Sequence, residues 1–276
     1  MIANYHTHLA LCKHATGTME EYIERAIDQK LSIIGISDHI PYNNELTVIL
    51  NSRRMSVEEF QNYYLPGLKE AKKKYGNKIE VLSAGEIEYY DDYRQDLIKL
   101  RDQLDYLILG QHDIIRDGQY KSIYNPSFDE VDLIIYRDMV IRALQTGLFR
   151  ILAHPDIFML RYPVFDKKCR EASLAIIATA DACGVAIELN ANGIRRNKFK
   201  GYDYFDEALY LYPHVAFWDI VAEYQKTHPS LEVILNDDCH HVDCLVDDCT
   251  ELAYKFAERH HIKLKDKIAI NPSVSD

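Results

Sequence analysis

The sequence predicts one α/β domain spanning residues 1–276, in which seven parallel strands form a closed ring surrounded by helices. Three observations lead to this prediction. Short apolar runs alternate with longer amphipathic stretches along the chain, as in parallel α/β folds. Histidine, aspartate and glutamate residues recur where the apolar runs end. No linker or repeat interrupts the pattern, and an α/β barrel commonly needs about 250 residues.

The individual elements follow from local patterns. The apolar runs, several of them β-branched, predict strands at Ile2–His6, Ser32–Ser37, Ile79–Glu86, Tyr106–Gly110, Arg150–Ala153, Val185–Asn190 and Leu231–Asn236. Between them, a Ser or Thr three positions before an acidic residue predicts helix starts at Thr18, Ser56 and Ser127. Gly147 and Gly184 follow helical stretches, where a left-handed stop is expected.

The position of the polar residues favours a closed ring over an open sheet. In an open α/β sheet, ligands gather at one switch point between a few strands. Here six of the seven strand ends would supply candidate ligands, and a ring brings six strand ends to one mouth.

Composition excludes some functions. The net charge of −11 argues against a broad nucleic-acid-binding face, although a small phosphorylated substrate needs only a few local cations. No apolar run approaches the length of a membrane span, and the first predicted strand leaves no room for a signal peptide. The six cysteines show no zinc-knuckle spacing, so we expect reduced thiols in a cytoplasmic protein, either a monomer or a homo-oligomer.

Nine residues at or just after the strand ends are candidate metal ligands. Any one of these histidines alone would more often be an ordinary hydrogen-bonded residue, but recurrence at the same end of successive strands points to one shared site. The set consists of His6, His8, His14, His39, Glu86, His112, His154, Asp238 and His240. It contains no thiolate, which favours hydrolytic zinc, iron or manganese chemistry over a structural zinc site.

Nine ligands exceed the needs of one ion and suffice for two or three divalent ions. Two neighbouring ions can activate a water molecule and neutralise phosphate oxygens. We therefore expect hydrolysis of a phosphoester by a metal-bound hydroxide, with Glu86 as the bridging ligand.

These motifs resemble the polymerase-and-histidinol-phosphatase (PHP) superfamily. The resemblance rests on His6-x-His8, His14, Ser37-Asp38-His39, Glu86, His112, His154 and Asp238-x-His240, which contain all nine ligands in order. Within the superfamily, the segment from His6 to Tyr22 is similar to the monofunctional histidinol-phosphate phosphatases. The resemblance implies a distorted (β/α)₇ TIM-like barrel with the metal site at the carboxyl ends of its strands.

The resemblance also implies how the ligands divide among the ions. It further implies that the metal-bound hydroxide is held by Glu86, His112, His154 and Asp238. One ion would be held by His6, His8, Glu86 and Asp238, a second by Glu86, His112 and His154, and a third by His14, His39 and His240. The acidic pair Glu86 and Glu88 leaves two candidates for the bridging position; Glu86 is preferred, and Glu88 is the alternative.

Two arginines are candidate phosphate ligands, because a guanidinium binds phosphate in a bidentate manner. Arg161 follows the fifth strand, and Arg195 follows the sixth in a pattern similar to that of the family, with Arg196 as a weaker substitute. Asn190 and Tyr42 could also line the pocket.

The site predicts an enzyme that hydrolyses a phosphoester. The resemblance implies that its substrate is L-histidinol phosphate, which would be hydrolysed to L-histidinol and phosphate in histidine biosynthesis. Three alternatives stay open. The chain could act on nucleotides or other small phosphoesters, or it could be a catalytically silent metal-binding module. It could also be a metal-dependent amidohydrolase, although no lysine is placed at a strand end as a carbamate bridge.

Overall fold

The computed structural model describes residues 1–42, 46, 53–203 and 206–270. Within these, the strands are β1 (Ala3–Asn4), β2 (Ile33–Ile36), β3 (Glu80–Ile87), β4 (Tyr106–Leu109), β5 (Asp113–Arg116), β6 (Gln119–Ser122), β7 (Ile151–Leu152), β8 (Ala186–Asn190) and β9 (Val233–Asn236). Seven of them form one parallel sheet in the order β1-β2-β3-β4-β7-β8-β9. The seven predicted strands are confirmed, each within a few residues of its predicted bounds.

The first and last strands of this sheet lie side by side and nearly close it into a barrel. Thr7 and Cys239 form a parallel bridge just beyond β1 and β9. The His8 backbone N–H donates to the Cys239 carbonyl at 2.9 Å. The Tyr5 N–H donates to the Asn236 side-chain oxygen at 2.8 Å. The predicted ring is thus confirmed.

Helices connect the strands and cover the outside of the ring. The α-helices of the described residues are Met19–Asp28, Val57–Glu59, Leu65–Tyr75, Arg94–Arg101, Glu130–Gln145, Lys167–Ala182, Ala191–Phe199, Val215–Thr227 and Asp248–Arg259, with a π-helical turn at Phe60–Tyr64. Thr18 and Ser56 form the predicted capping boxes. Gly147 and Gly184 have the predicted positive φ, at 72° and 64°.

One predicted helix start was wrong by two residues. Asp129, and not Ser127, caps the helix Glu130–Gln145, accepting from the N–H groups of Val131 and Asp132. Ser127 instead bonds the side chain of Asn125. An aspartate is at least as good a cap as serine, and here it lies directly before the helix.

Apolar side chains fill two layers, one inside the ring and one between the ring and its helices. The interior layer includes Tyr5, Tyr106 and Ile234, each at most 2% exposed. Ile268, from the C-terminal segment, packs into the same layer and bonds Tyr5 through its backbone. The lower part of the barrel is therefore a packed core, which leaves the opposite mouth for polar residues.

The sequence prediction missed the antiparallel hairpin β5–β6, which directly follows His112. Its turn is Asp117-Gly118, both with positive φ, which is a strong hairpin pattern. The hairpin is fastened to the helix Glu130–Gln145 because Asp132, fully buried, accepts from Arg116 at 2.8 Å and Lys121 at 2.6 Å.

No helix among the described residues is both long enough and apolar enough to cross a membrane.

Candidate metal centre

The structure brings the nine predicted ligand side chains together at the carboxyl ends of the strands. Glu86 lies within β3, and the other eight follow their strands: His6, His8 and His14 after β1, His39 after β2, His112 after β4, His154 after β7, and Asp238 and His240 after β9. Six of the seven parallel strands contribute, as predicted.

Glu86 is at the centre of this group and is 1% exposed. Its Oε2 lies 3.2 Å from His6 Nε2, 3.3 Å from His8 Nε2 and 3.2 Å from His39 Nδ1. Its Oε1 lies 3.2 Å from His154 Nε2 and 3.7 Å from His112 Nε2. Each carboxylate oxygen therefore faces a different set of imidazoles, which is the arrangement of a bridging ligand.

The first subsite consists of His6, His8, Glu86 and Asp238. The Nε2 atoms of His6 and His8 lie 3.0 Å apart, and Asp238 Oδ1 is 3.0 Å from the His8 nitrogen and 3.7 Å from the His6 nitrogen. Four donors at about 2.1 Å around a tetrahedral zinc ion are about 3.4 Å from one another. The observed separations fit such an ion.

The second subsite consists of Glu86, His112 and His154, whose ligand atoms all lie within 4.8 Å of one another. A further group within the same limit contains His8, His39 and His240. The ring of His14 lies beside this group, with its centroid 5.2 Å from that of His39 and 4.9 Å from that of His240.

The charges at this mouth favour bound cations. Burial lowers the pKa of His6, but Glu188, Asp238 and Glu86 outweigh this effect and raise it to about 10. Burial raises the pKa of Glu86 and Asp238, yet the surrounding histidines hold both well below the ordinary carboxyl value. His39 Nδ1 is buried close to Glu86 Oε2 but makes no hydrogen bond to it. A buried imidazole nitrogen that lies 3.2 Å from a carboxylate oxygen without bonding it fits a metal ion between the two.

Two buried carboxylates behind the first subsite were not predicted. Glu188, at the end of β8, lies 2.7 Å from His6 Nδ1 and also accepts from Asn190 and Asn236. Asp38 Oδ1 lies 3.4 Å from His8 Nδ1. A carboxylate on Nδ1 keeps the proton there and leaves Nε2 for a metal. The sequence signs were Glu188, an acidic residue inside an apolar strand, and Asp38 within the motif Ser37-Asp38-His39.

Glu88, the alternative bridging ligand, and the predicted pocket residues Asn190 and Tyr42 lie behind the ligands, which corrects their expected place. Glu88 Oε1 is 2.9 Å from His112 Nδ1, while Glu86 holds the central position. Tyr42 is 3% exposed and donates to Glu88 Oε2 at 2.5 Å. Asn190 donates to Asp238 Oδ2 at 3.1 Å and caps the helix Ala191–Phe199. All three support ligand side chains.

A cavity of about 650 Å³ opens beside the cluster. Its lining includes Asp238 and His240 from the cluster together with Tyr124, Leu160, Arg161, Asn192, Arg195, Arg196, Phe199, Lys200, His241 and Cys244. Arg161 was predicted to contact substrate and lies here, with Nε donating to the Tyr124 carbonyl at 2.7 Å. The Arg196 guanidinium lies over the Tyr124 ring, 5.9 Å from its centroid.

Arg195 does not lie as predicted. Its guanidinium donates to Asp247 through Nε at 2.8 Å, to Asp237 Oδ1 through Nη2 at 2.9 Å, and to the Asp237 and Cys244 carbonyls. Its side chain is 13% exposed. Because these partners occupy Nε and both terminal nitrogens, Arg195 holds the segment after β9 in place, whereas the neighbouring Arg196 is exposed at the cavity.

Two of the candidate ligands have unusual backbone conformations. His154 and Asp238 have φ of 30° and 48°. Positive φ in residues other than glycine costs free energy and is concentrated at functional sites. Each residue lies two positions after the last residue of a strand, β7 or β9, so the left-handed conformation sets the direction in which its side chain points.

Residues 4–192 match the model of the PHP domain family, which is more than half of the chain. The chain belongs to the PHP domain family. The match contains seven of the nine ligand positions, and Asp238 and His240 join the PHP site because β9 lies beside β1.

Several relatives of this PHP chain are named as phosphatases. A Deinococcus radiodurans protein named "Probable histidinol-phosphatase" is 26% identical over 207 residues, which cover 73% of this chain and 77% of the relative. A Lactococcus lactis histidinol phosphate phosphatase, solved with zinc, L-histidinol and phosphate, superposes with a TM-score of 0.67 at 15% identity over 95% of this chain and 94% of the other. A Listeria monocytogenes structure assigned to the same activity gives 0.65 at 18% identity, covering 90% and 99%. The two structures share the PHP barrel with this chain.

Proposed function

We propose that this PHP chain is a metal-dependent phosphomonoesterase that hydrolyses L-histidinol phosphate to L-histidinol and phosphate. One observation carries the proposal: Glu86 turns one carboxylate oxygen toward each of two histidine clusters in a buried mouth. That arrangement suits two divalent ions, with room for a third near His14, His39 and His240. The substrate is supported by the name of the Deinococcus relative and by the ligands of the Lactococcus structure.

Some residues of the site would position the metal ligands, and others would bind the substrate. Zinc, iron or manganese ions in the subsites would supply an activated water and neutralise charge on the phosphate. Glu188 and Asp38 hold the protons of His6 and His8 on Nδ1, so that both Nε2 atoms face the first subsite.

Arg161 and Arg196 line the adjoining cavity and would bind phosphate oxygens. The rest of the substrate would lie against Tyr124 and Leu160 in the same cavity. The phosphate would then enter from the cavity side and reach the subsites past Asp238 and His240.

The test is release of phosphate from L-histidinol phosphate by purified protein, with and without a chelator, together with metal analysis of the same sample. We expect turnover that the chelator abolishes and added metal restores.

His154→Ala should abolish turnover, whereas His228→Ala should not. His228 follows the helix Val215–Thr227, which leads into the start of β9, so it lies at the end of the barrel away from the ligands. Metal-loaded protein that leaves every phosphoester intact would support the silent-module alternative.

A second candidate substrate class is other small phosphoesters, including nucleotides. It is favoured by one observation: Lys200 adds a further cation to the cavity that holds Arg161 and Arg196. Side-by-side assays of histidinol phosphate, nucleoside monophosphates and a dinucleotide decide between the two classes, with the larger kcat/KM identifying the substrate.

A further inference from the structure

We propose that Arg54 is a positioning residue for the second subsite and acts on it through Glu88, so that the two subsites can be weakened independently. The inference rests on the proposed metal binding and concerns a residue outside all the ligand motifs.

The contacts form a continuous chain from Arg54 to the ligand. Arg54 Nη2 donates to Glu88 Oε2 at 2.6 Å, and Glu88 Oε1 lies 2.9 Å from His112 Nδ1. His112 Nε2 then faces Glu86 Oε1 in the second subsite. Glu88 thus uses one oxygen for the cation and the other for the imidazole, which fixes the orientation of the His112 ring.

Burial makes Arg54 necessary for this arrangement. Glu88 is 2% exposed and Arg54 is 7% exposed, so neither charge is well hydrated. A buried carboxylate without a paired cation is costly, and it would turn toward another donor. The pair keeps Glu88 as an acceptor for the N–H of His112, and this leaves Nε2 of that ring for a metal.

Arg54 is itself held in place by two further contacts. Its Nη1 donates to the Ile40 carbonyl at 2.9 Å, and its guanidinium carbon lies 4.4 Å from the centre of the Tyr42 ring. The hydroxyl of Tyr42 also donates to Glu88 Oε2. Ile40 and Tyr42, which follow His39 in the chain, therefore hold the Arg54 guanidinium and the Glu88 carboxylate in fixed positions.

The imidazoles of the first subsite contact other carboxylates. Glu188 contacts His6 Nδ1 and Asp38 contacts His8 Nδ1, and Glu188 Oε1 also accepts from the His154 backbone N–H at 3.3 Å. Neither carboxylate has an observed bond to Arg54, to Glu88 or to the imidazole of His112 or His154. His154 Nδ1 is buried without a hydrogen-bond partner among the described residues. Among the described residues, Glu88 is therefore the carboxylate outside the ligand set that bonds an imidazole of the second subsite, and the loss of Arg54 should weaken this subsite alone.

The test is a metal titration followed by metal analysis and by the absorption of bound cobalt, with thermal unfolding of each variant as the measure of folding. Arg54→Met and Glu88→Gln should weaken one class of bound ion by roughly 10- to 100-fold and leave the other class at wild-type affinity. Arg54→Lys should recover part of the loss, because it keeps the charge but not the paired donors to Ile40 and Glu88.

Glu188→Gln is the matched control, since it changes a carboxylate behind His6 in the same way. Glu188→Gln should weaken the binding of the ion at the first subsite. It should leave the ion at the second subsite, which Arg54→Met affects, at wild-type affinity. If Arg54→Met does not fold, the nearly isosteric Glu88→Gln carries the test. Folded variants with both ion classes at wild-type affinity, or with both weakened equally, would overturn the inference. Wild-type protein that takes up no metal would instead reject the proposed function.

Discussion

Arg195 provides the sharpest test of the site, because the sequence pattern and the structure give it different tasks. In the structure it is a buried link between Asp237 and Asp247, and the replacement Arg195→Met removes this link while keeping most of the side-chain volume. We therefore expect a loss of stability and no change in KM.

The expected loss of unfolding free energy depends on the hydrogen-bond partners and hydration that Asp237 and Asp247 keep when Arg195 is replaced. Removing one member of a buried ion pair costs about 3–5 kcal/mol, mostly because the other charge stays buried. Asp237 is fully buried but keeps donors from Asn4 at 2.8 Å, from the Val246 N–H at 3.0 Å and from Thr250. Asp247 is 24% exposed and is partly hydrated. The lower end, about 3 kcal/mol, is expected, which lowers the folding equilibrium constant by roughly 150-fold.

The assay is urea unfolding together with steady-state kinetics, and Arg196→Met is the control from the next position of the same helix. Arg196 is exposed and lines the cavity. Its loss should change stability by no more than about 0.5 kcal/mol. Losing a charged hydrogen bond to substrate costs about 1.5–3 kcal/mol, which should raise KM by roughly 10- to 100-fold. An Arg195→Met variant with wild-type stability and a raised KM would refute the structural assignment.

Three further outcomes are expected. Arg161→Ala should raise KM more than it lowers kcat, because Arg161 lines the cavity outside the ligand cluster. Kinetics equal to those of the wild-type protein would show that Arg161 does not contact the substrate. Gly110→Ala should lower the bound metal in a protein that still folds, since the added methyl group would lie 1.8 Å from Glu86 Oε1 and displace it; unchanged metal content would contradict this placement. Chelation should lower the unfolding temperature as well as the activity, because ions held only by the folded state at a thousandfold excess over Kd stabilise it by about 4 kcal/mol; equal melting with and without chelator would speak against tight sites.

The strands and the ligand cluster could be predicted because both depend on short-range patterns. A buried parallel strand is a short apolar run, and His39 or His154 at the end of such a run is visible without knowledge of the fold. The ring then follows from the number of strand ends that carry ligands. The turn Asp117-Gly118 was also visible in the sequence, and the hairpin around it was overlooked.

The residues that contact the ligand side chains from behind, such as Glu188, Glu88 and Arg54, could not be predicted in the same way. Glu188 and His6 are 182 positions apart in the chain, and Arg54 and Glu88 are 34 apart, so only the folded barrel shows that they meet. The choice between Arg195 and Arg196 has a different cause. Neighbours on a helix point about 100° apart, and the direction of each is set by the helix start at Asn190, which the sequence did not locate.

The seam between β1 and β9 has a consequence for how the protein matures. Thr7 and Cys239 are neighbours in space at nearly opposite ends of the chain, and contacts of such long sequence separation form late and slowly. During synthesis the amino-terminal half emerges first, so His6 and His8 must wait for Asp238 before their shared site exists. Tight uptake of the first ion would then mark the moment at which the newly made chain has closed upon itself.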